Sequence, residues 1–99
     1  MKIKDVMKVI EKLNELRNVL DLEKAYVSIW IDNQQIGDEF YTLNDLVLAV
    51  KREYIADFWR KLLDIEYTKT YNNTLSAEIK WISCTGKEWV SKVELFVDC

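Results

Sequence analysis

An α+β fold is predicted, with two helices and a mainly antiparallel sheet in the order α-β-β-α-β-β-β. Three observations predict it. Apolar residues recur at three- and four-residue spacing in two stretches and alternate in five others. With 49% apolar and 31% charged residues, the chain has the composition of a folded protein rather than a disordered one. Its 99 residues suit one domain, spanning 1–99, and suffice for a core without metal or disulfide support.

Ile3 to Leu20 forms the first predicted helix: Ile3, Val6, Ile10, Leu13, Leu16 and Leu20 lie on one stripe, and Lys4, Lys8 and Lys12 on the opposite side. Ala25 to Ile31 alternates, with Ala25, Val27, Ile29 and Ile31 facing one way and Tyr26, Ser28 and Trp30 the other. Asp32 to Gln35 supplies a turn, and Ile36 to Tyr41 returns as the partner strand. A turn that pairs Asp32 with Gln35 sets Ile31 opposite Ile36, Ile29 opposite Asp38, Val27 opposite Phe40, Trp30 opposite Gly37 and Tyr26 opposite Tyr41. In that register Asp38 is an inward charge on an edge strand, and Trp30 covers the bare Gly37 backbone.

Thr42 and Asp45 have capping-box spacing and open a long helix to about Leu63, striped by Leu43, Val47, Val50, Tyr54, Phe58 and Leu62. The run Leu46 to Val50 is apolar nearly all round, which predicts burial on several sides. Strands follow at about Ile65–Tyr71, Leu75–Ser83 and Lys87–Asp98. A three-residue loop Cys84-Thr85-Gly86, with Gly86 left-handed, puts the apolar sets of the last two strands on one face. It pairs Trp81 with Trp89, Ala77 with Val93 and Leu75 with Leu95, and both tryptophans are expected in the core.

Charge separates one segment from the rest. Between Ala25 and Val50 stand four acids, Asp32, Asp38, Glu39 and Asp45, and no Lys or Arg, while the other blocks are mixed. Nearly all of the net charge of −3 therefore arises there. The same segment carries Tyr26, Trp30 and Tyr41 on one face of its hairpin, so Tyr26, Trp30, Asp32, Asp38, Glu39, Tyr41 and Asp45 form the candidate partner-binding set. Tyr and Trp dominate binding hot spots, and acids steer association with a basic surface. The alternative is that a helix covers the face and the aromatics are core. Trp59 is a second candidate exposed aromatic.

Chemistry is otherwise sparse. The chain has no His, which removes the commonest general base and metal ligand. Cys84 and Cys99 lie too far apart in the hairpin register for a disulfide and lack metal-site spacing. Asp32 to Gly37 departs from a calcium loop at Gln34, Ile36 and Leu43. Asp38 and Glu39 point to opposite strand faces and cannot share a substrate. Neither enzymatic activity nor a cofactor or metal is expected. Direct nucleic-acid binding through Lys4, Lys8 and Lys12 is disfavoured by the interleaved Asp5, Glu11 and Glu15. No apolar run is long enough for a membrane span, and the opening residues lack a signal-peptide core, so a cytoplasmic location is expected.

The opening Met1-Lys2-Ile3-Lys4-Asp5-Val6-Met7-Lys8-Val9-Ile10 resembles the first helix of small anti-CRISPR proteins from phages of Gram-positive bacteria. The resemblance implies an acidic protein that binds a host nuclease, in some cases on a surface meant for nucleic acid; it assigns no residue a role. The expectation is a non-enzymatic module that docks its acidic aromatic hairpin on a basic surface of a larger host protein. A homo-oligomer subunit is the alternative, and a nucleic-acid-binding accessory protein or a cryptic enzyme comes third.

Overall fold

A computed structural model describes residues 1–98. Its elements are α1 (Ile3–Val19), β1 (Tyr26–Ile31), β2 (Gln34–Phe40), α2 (Leu43–Glu53), α3 (Ala56–Asp64), β3 (Thr68–Tyr71), β4 (Thr74–Ile82) and β5 (Glu88–Asp98). The five strands form one antiparallel sheet in the order β2-β1-β5-β4-β3. Alternation decides its faces. Val27, Ile29, Ile31, Val93, Leu95 and Ile79 are buried against Ile3, Val6, Met7 and Ile10 of α1, Leu46 and Val50 of α2, and Phe58 and Leu62 of α3. One core therefore lies between a helical layer and one face of the sheet, and among the described residues no helix lies over the other face.

Helix α1 matches its stripe through Ile10, but Leu16 and Leu20 are exposed, because the helix runs past the edge of the core. It ends in paired bonds from Asp21 N to Asn18 O and from Leu22 N to Arg17 O, with Asp21 in the left-handed conformation a glycine often fills. The Asn14 side chain then seizes Ala25 from both sides. Its Nδ2 donates to Ala25 O and its Oδ1 accepts from Ala25 N, each at 2.7 Å. Ala25 is fully buried, so water cannot replace these bonds. Asn14→Leu should cost about 1–3 kcal/mol in urea unfolding, the penalty for stranding buried backbone groups. A midpoint equal to wild type would show that Ala25 finds other partners.

The expected register of the first hairpin is corrected. The turn of the first hairpin is Asp32-Asn33, both at positive φ, and pairs Ile31 with Gln34, Trp30 with Gln35 and Ile29 with Ile36. A bulge then sets Gly37, Asp38 and Glu39 against Ser28 alone, and Val27 meets Phe40 as expected. Two extra residues preserve side-chain parity, so Ile36 and Phe40 both reach the core while Asp38 is expelled to solvent. Asp38 is therefore not an inward charge, and Trp30 does not cover Gly37.

The long second helix is two. Tyr54 and Ile55 adopt extended conformations between α2 and α3. The break lets α2 pack on β2 and α3 on β4, at opposite wings of the sheet. Tyr54 stacks on Phe58 across it, with centroids 4.5 Å apart. The cap of α2 is as expected, Asp45 N donating to Thr42 Oγ1 at 3.2 Å. Leu48 is exposed, so the apolar run is buried on one side only.

The last two strands pair as expected, Trp81 with Trp89, Ala77 with Val93 and Leu75 with Leu95, around a loop in which Gly86 has φ +83°. Trp81 packs edge-on against Phe58 and donates Nε1 to Ser91 Oγ at 2.9 Å. Trp89 stacks on Trp81 but is 45% exposed, because this end of the ribbon outruns the helices, so its expected place in the core is corrected. Strand β3 is shorter than expected, beginning at Thr68. The β4 edge it leaves uncovered is held by α3 side chains. Ile82 N donates to Asp57 Oδ2 at 2.7 Å, and Lys61 Nζ donates to Lys80 O at 2.8 Å. The Ile82 bond is the largest cause holding the Asp57 carboxyl below its usual range. Cys84 is free and exposed, and Cys99 lies outside the described residues.

Candidate functional site

The candidate site is the open sheet face over β1, β5 and β2. Tyr26, Ser28 and Trp30 project from β1, and their β5 partners are Asp98, Phe96 and Glu94. At one end, Tyr26 and Tyr41 meet edge-on with centroids 6.2 Å apart. The Asp98 carboxylate accepts a hydrogen bond from the Tyr26 hydroxyl, and that bond, with burial and the nearby negative charges, pushes the phenol up to about 12. Tyr41 donates to Glu39 Oε2 at 2.8 Å, which raises its pKa also, helped by burial and by the charges of Glu39 and Asp38. Lys24 Nζ sits 5.5 Å from the Tyr41 ring centre. Both phenols therefore remain protonated at neutral pH and act as donors, not bases.

In the middle of the face, Trp30 meets Phe96 edge-on with centroids 6.3 Å apart. With Ser28, Asn33, Gln35 and Glu94 these rings line an open cleft of about 430 Å³. Phe96 is 37% exposed although its strand neighbours Leu95 and Val93 are fully buried or nearly so.

The seven sequence-predicted residues divide. Tyr26, Trp30, Glu39 and Tyr41 come together on this face, and Asp38 stands at its margin in the bulge. Asp32 sits at the hairpin turn, where its Oδ1 accepts from Lys92 N and its own N–H donates to Lys92 O, both at 2.9 Å, so its carboxylate extends the β1–β5 pairing. Asp45 lies in the first turn of α2, on the helical side. Phe96, Glu94 and Asp98 were missed. Their parity, opposite to Val93 and Leu95, marks them as outward, but only the β1–β5 pairing sets them beside Trp30.

Among the described residues no cluster of His, Cys, Asp and Glu has the form of a metal site, and no helix is long and apolar enough to cross a membrane. Comparison with protein-family models, curated proteins and solved structures finds no match. What the arrangement offers chemically is aromatic surface, tyrosine donors and an excess of carboxylates.

Proposed function

We propose that this chain is a non-enzymatic protein-binding module that docks the β1/β2/β5 face on a basic surface of a larger host protein. The observation that carries this reading is the uncovered face itself. All three helices pack on the opposite side of the sheet, while Tyr26, Trp30, Tyr41 and Phe96 stand with Glu39, Glu94 and Asp98 on the open one. In such an interface the aromatics supply most of the affinity, and the acids, Asp38 included, steer approach and fix orientation. An inhibitor from a phage or mobile element, of the anti-CRISPR kind that the first ten residues resemble, is the setting this reading suits. Its site of action would then be the cytoplasm.

Affinity capture from host lysate would identify the partner, and binding kinetics would then test the face. Trp30→Ala should weaken binding by about 2 kcal/mol, a hot-spot loss. It should cost only about 1 kcal/mol in stability, the worth of an edge-on aromatic pair. Glu39→Lys should slow association, with a deficit that shrinks as salt rises. Normal binding by folded Trp30→Ala would eliminate the face.

A homo-oligomer is the second reading, favoured by one observation: Val9, Leu16 and Val19 of α1, and Leu20 just after it, are all more than half exposed. Sedimentation of the wild-type chain as a monomer would remove it.

A further inference from the structure

We infer that the Trp30–Phe96 cleft receives an arginine side chain from the basic partner; the inference rests on the docking reading above and names the group gripped. The chain's own cations show how its other tryptophans are used. Lys51 Nζ and the Arg60 guanidinium lie 4.4 and 5.4 Å from the Trp59 ring centre, and Lys87 Nζ lies 4.4 Å from that of Trp89. Trp81 is committed to Phe58, Trp89 and Ser91. Among the described residues no cation lies over Trp30, although the Glu94 carboxylate lines the same cleft. Its contact with Phe96 is edge-on at 79°, which leaves π-surface uncovered that a parallel stack would hide.

The rest of the lining suits a guanidinium. Glu94 is only 21% exposed at its side chain, and its ion pair with the more exposed Lys92 spans 3.7 Å, beyond hydrogen-bond length. A partly desolvated carboxylate with so loose a partner gains from a closer cation. Asn33, Gln35 and Ser28 line the same cleft, and their side-chain oxygens are of a kind that accepts further N–H bonds. Arginine fits better than lysine: its planar head stacks on an indole while its edge donates to carboxylate and amide. The ammonium of lysine is a compact, strongly hydrated point charge. A cleft of about 430 Å³ has room for that head and its methylene stem.

The test titrates the full chain with a peptide of alternating Arg and Gly and follows the four indole N–H resonances by NMR, Trp30 being identified by Trp30→Phe. The Trp30 signal should shift and saturate while those of Trp59, Trp81 and Trp89 move far less. A Lys-Gly peptide should bind about fivefold more weakly, and a citrulline-Gly peptide about tenfold. Glu94→Gln should weaken the Arg peptide about tenfold with an unchanged melting midpoint, and Glu94→Asp should retain part of the affinity. Equal affinity for the Arg and Lys peptides, saturation at Trp59 or Trp89 instead, or indifference to Glu94→Gln would each overturn the arginine receptor. If that happens while Trp30→Ala still loses the captured partner, the docking face stands without it. If Trp30→Ala keeps the partner, the docking reading falls whatever the peptide does.

Discussion

Phe58→Ala should destabilise the protein by about 3–5 kcal/mol, at the upper end for a single core truncation. Phe58 is the largest of the fully buried side chains and joins three elements. It stacks on Tyr54 across the break between α2 and α3, and it meets Trp81 of β4 edge-on with centroids 5.4 Å apart. Those neighbours cannot readily collapse into the space left behind. Trp81 is tied to Ser91 through its indole N–H and stacked on Trp89. One turn on from Phe58, the Leu62 carbonyl accepts from the buried Tyr67 hydroxyl at 2.8 Å. The cost of a cavity grows with the volume that stays empty, so anchored rings keep the penalty high. Phe96→Ala, on the open face, should cost only about 1 kcal/mol by contrast. Urea denaturation of the two variants reads the difference. A loss below about 1.5 kcal/mol at Phe58 would mean that the helix break lets α3 settle inward.

What the sequence discloses follows from how local each determinant is. The β4–β5 ribbon was legible to the residue, since a short loop with one glycine fixes parity and parity fixes every pair from Trp81–Trp89 to Leu75–Leu95. The break at Tyr54-Ile55 was not. Neither residue is Gly or Pro, and the stripe of Tyr54, Phe58 and Leu62 continues across it without a missed beat. The interruption is imposed from outside, by two wings of a sheet that one straight helix cannot cover. The first hairpin lies between these cases. Assuming a uniform register left one misfit, Asp38 among core residues, and that misfit marked the place where the bulge occurs.

The candidate face was half legible for a related reason. Tyr26, Trp30, Glu39 and Tyr41 belong to one hairpin, whose faces follow from alternation. Phe96, Glu94 and Asp98 arrive from the far end of the chain because β5 pairs with β1 on one side and β4 on the other. Alternation marks them as outward without saying which strand they adjoin. Asp32 and Asp45 also have local structural roles, because carboxylates serve turns and helix starts as readily as partners. Asp32 accepts a backbone N–H of β5, and Asp45 sits where the helix dipole favours a negative charge.

Gly37→Ala should destabilise by on the order of 3 kcal/mol, whereas Gly86→Ala, also at positive φ, should lose only about 1 kcal/mol. Both substitutions place a Cβ on left-handed backbone, at φ +64° and +83°, and so share a strain term. They differ in what the methyl meets. At Gly86 nothing lies within 4 Å, but at Gly37 the new carbon would stand 2.8 Å from Cζ of Phe40, with Ala49 Cβ at 3.7 Å. Phe40 is 5% exposed and part of the core, so its ring has little room to yield. Nor can the strand escape by losing the bulge. The Ile29–Ile36 register, carried on without it, would set Asp38 opposite Val27 and turn its carboxylate toward the core, a costlier arrangement than the strain relieved. The same bulge presents Asp38 and Glu39 and positions Tyr41, so folded Gly37→Ala should also lose partner affinity, while Gly86→Ala, at the far ribbon tip, should not. Denaturation midpoints and binding constants of the pair decide the matter. Equal destabilisation would show that the Phe40 contact gives way freely. Destabilisation at Gly37 with affinity intact would separate the bulge from the docking face.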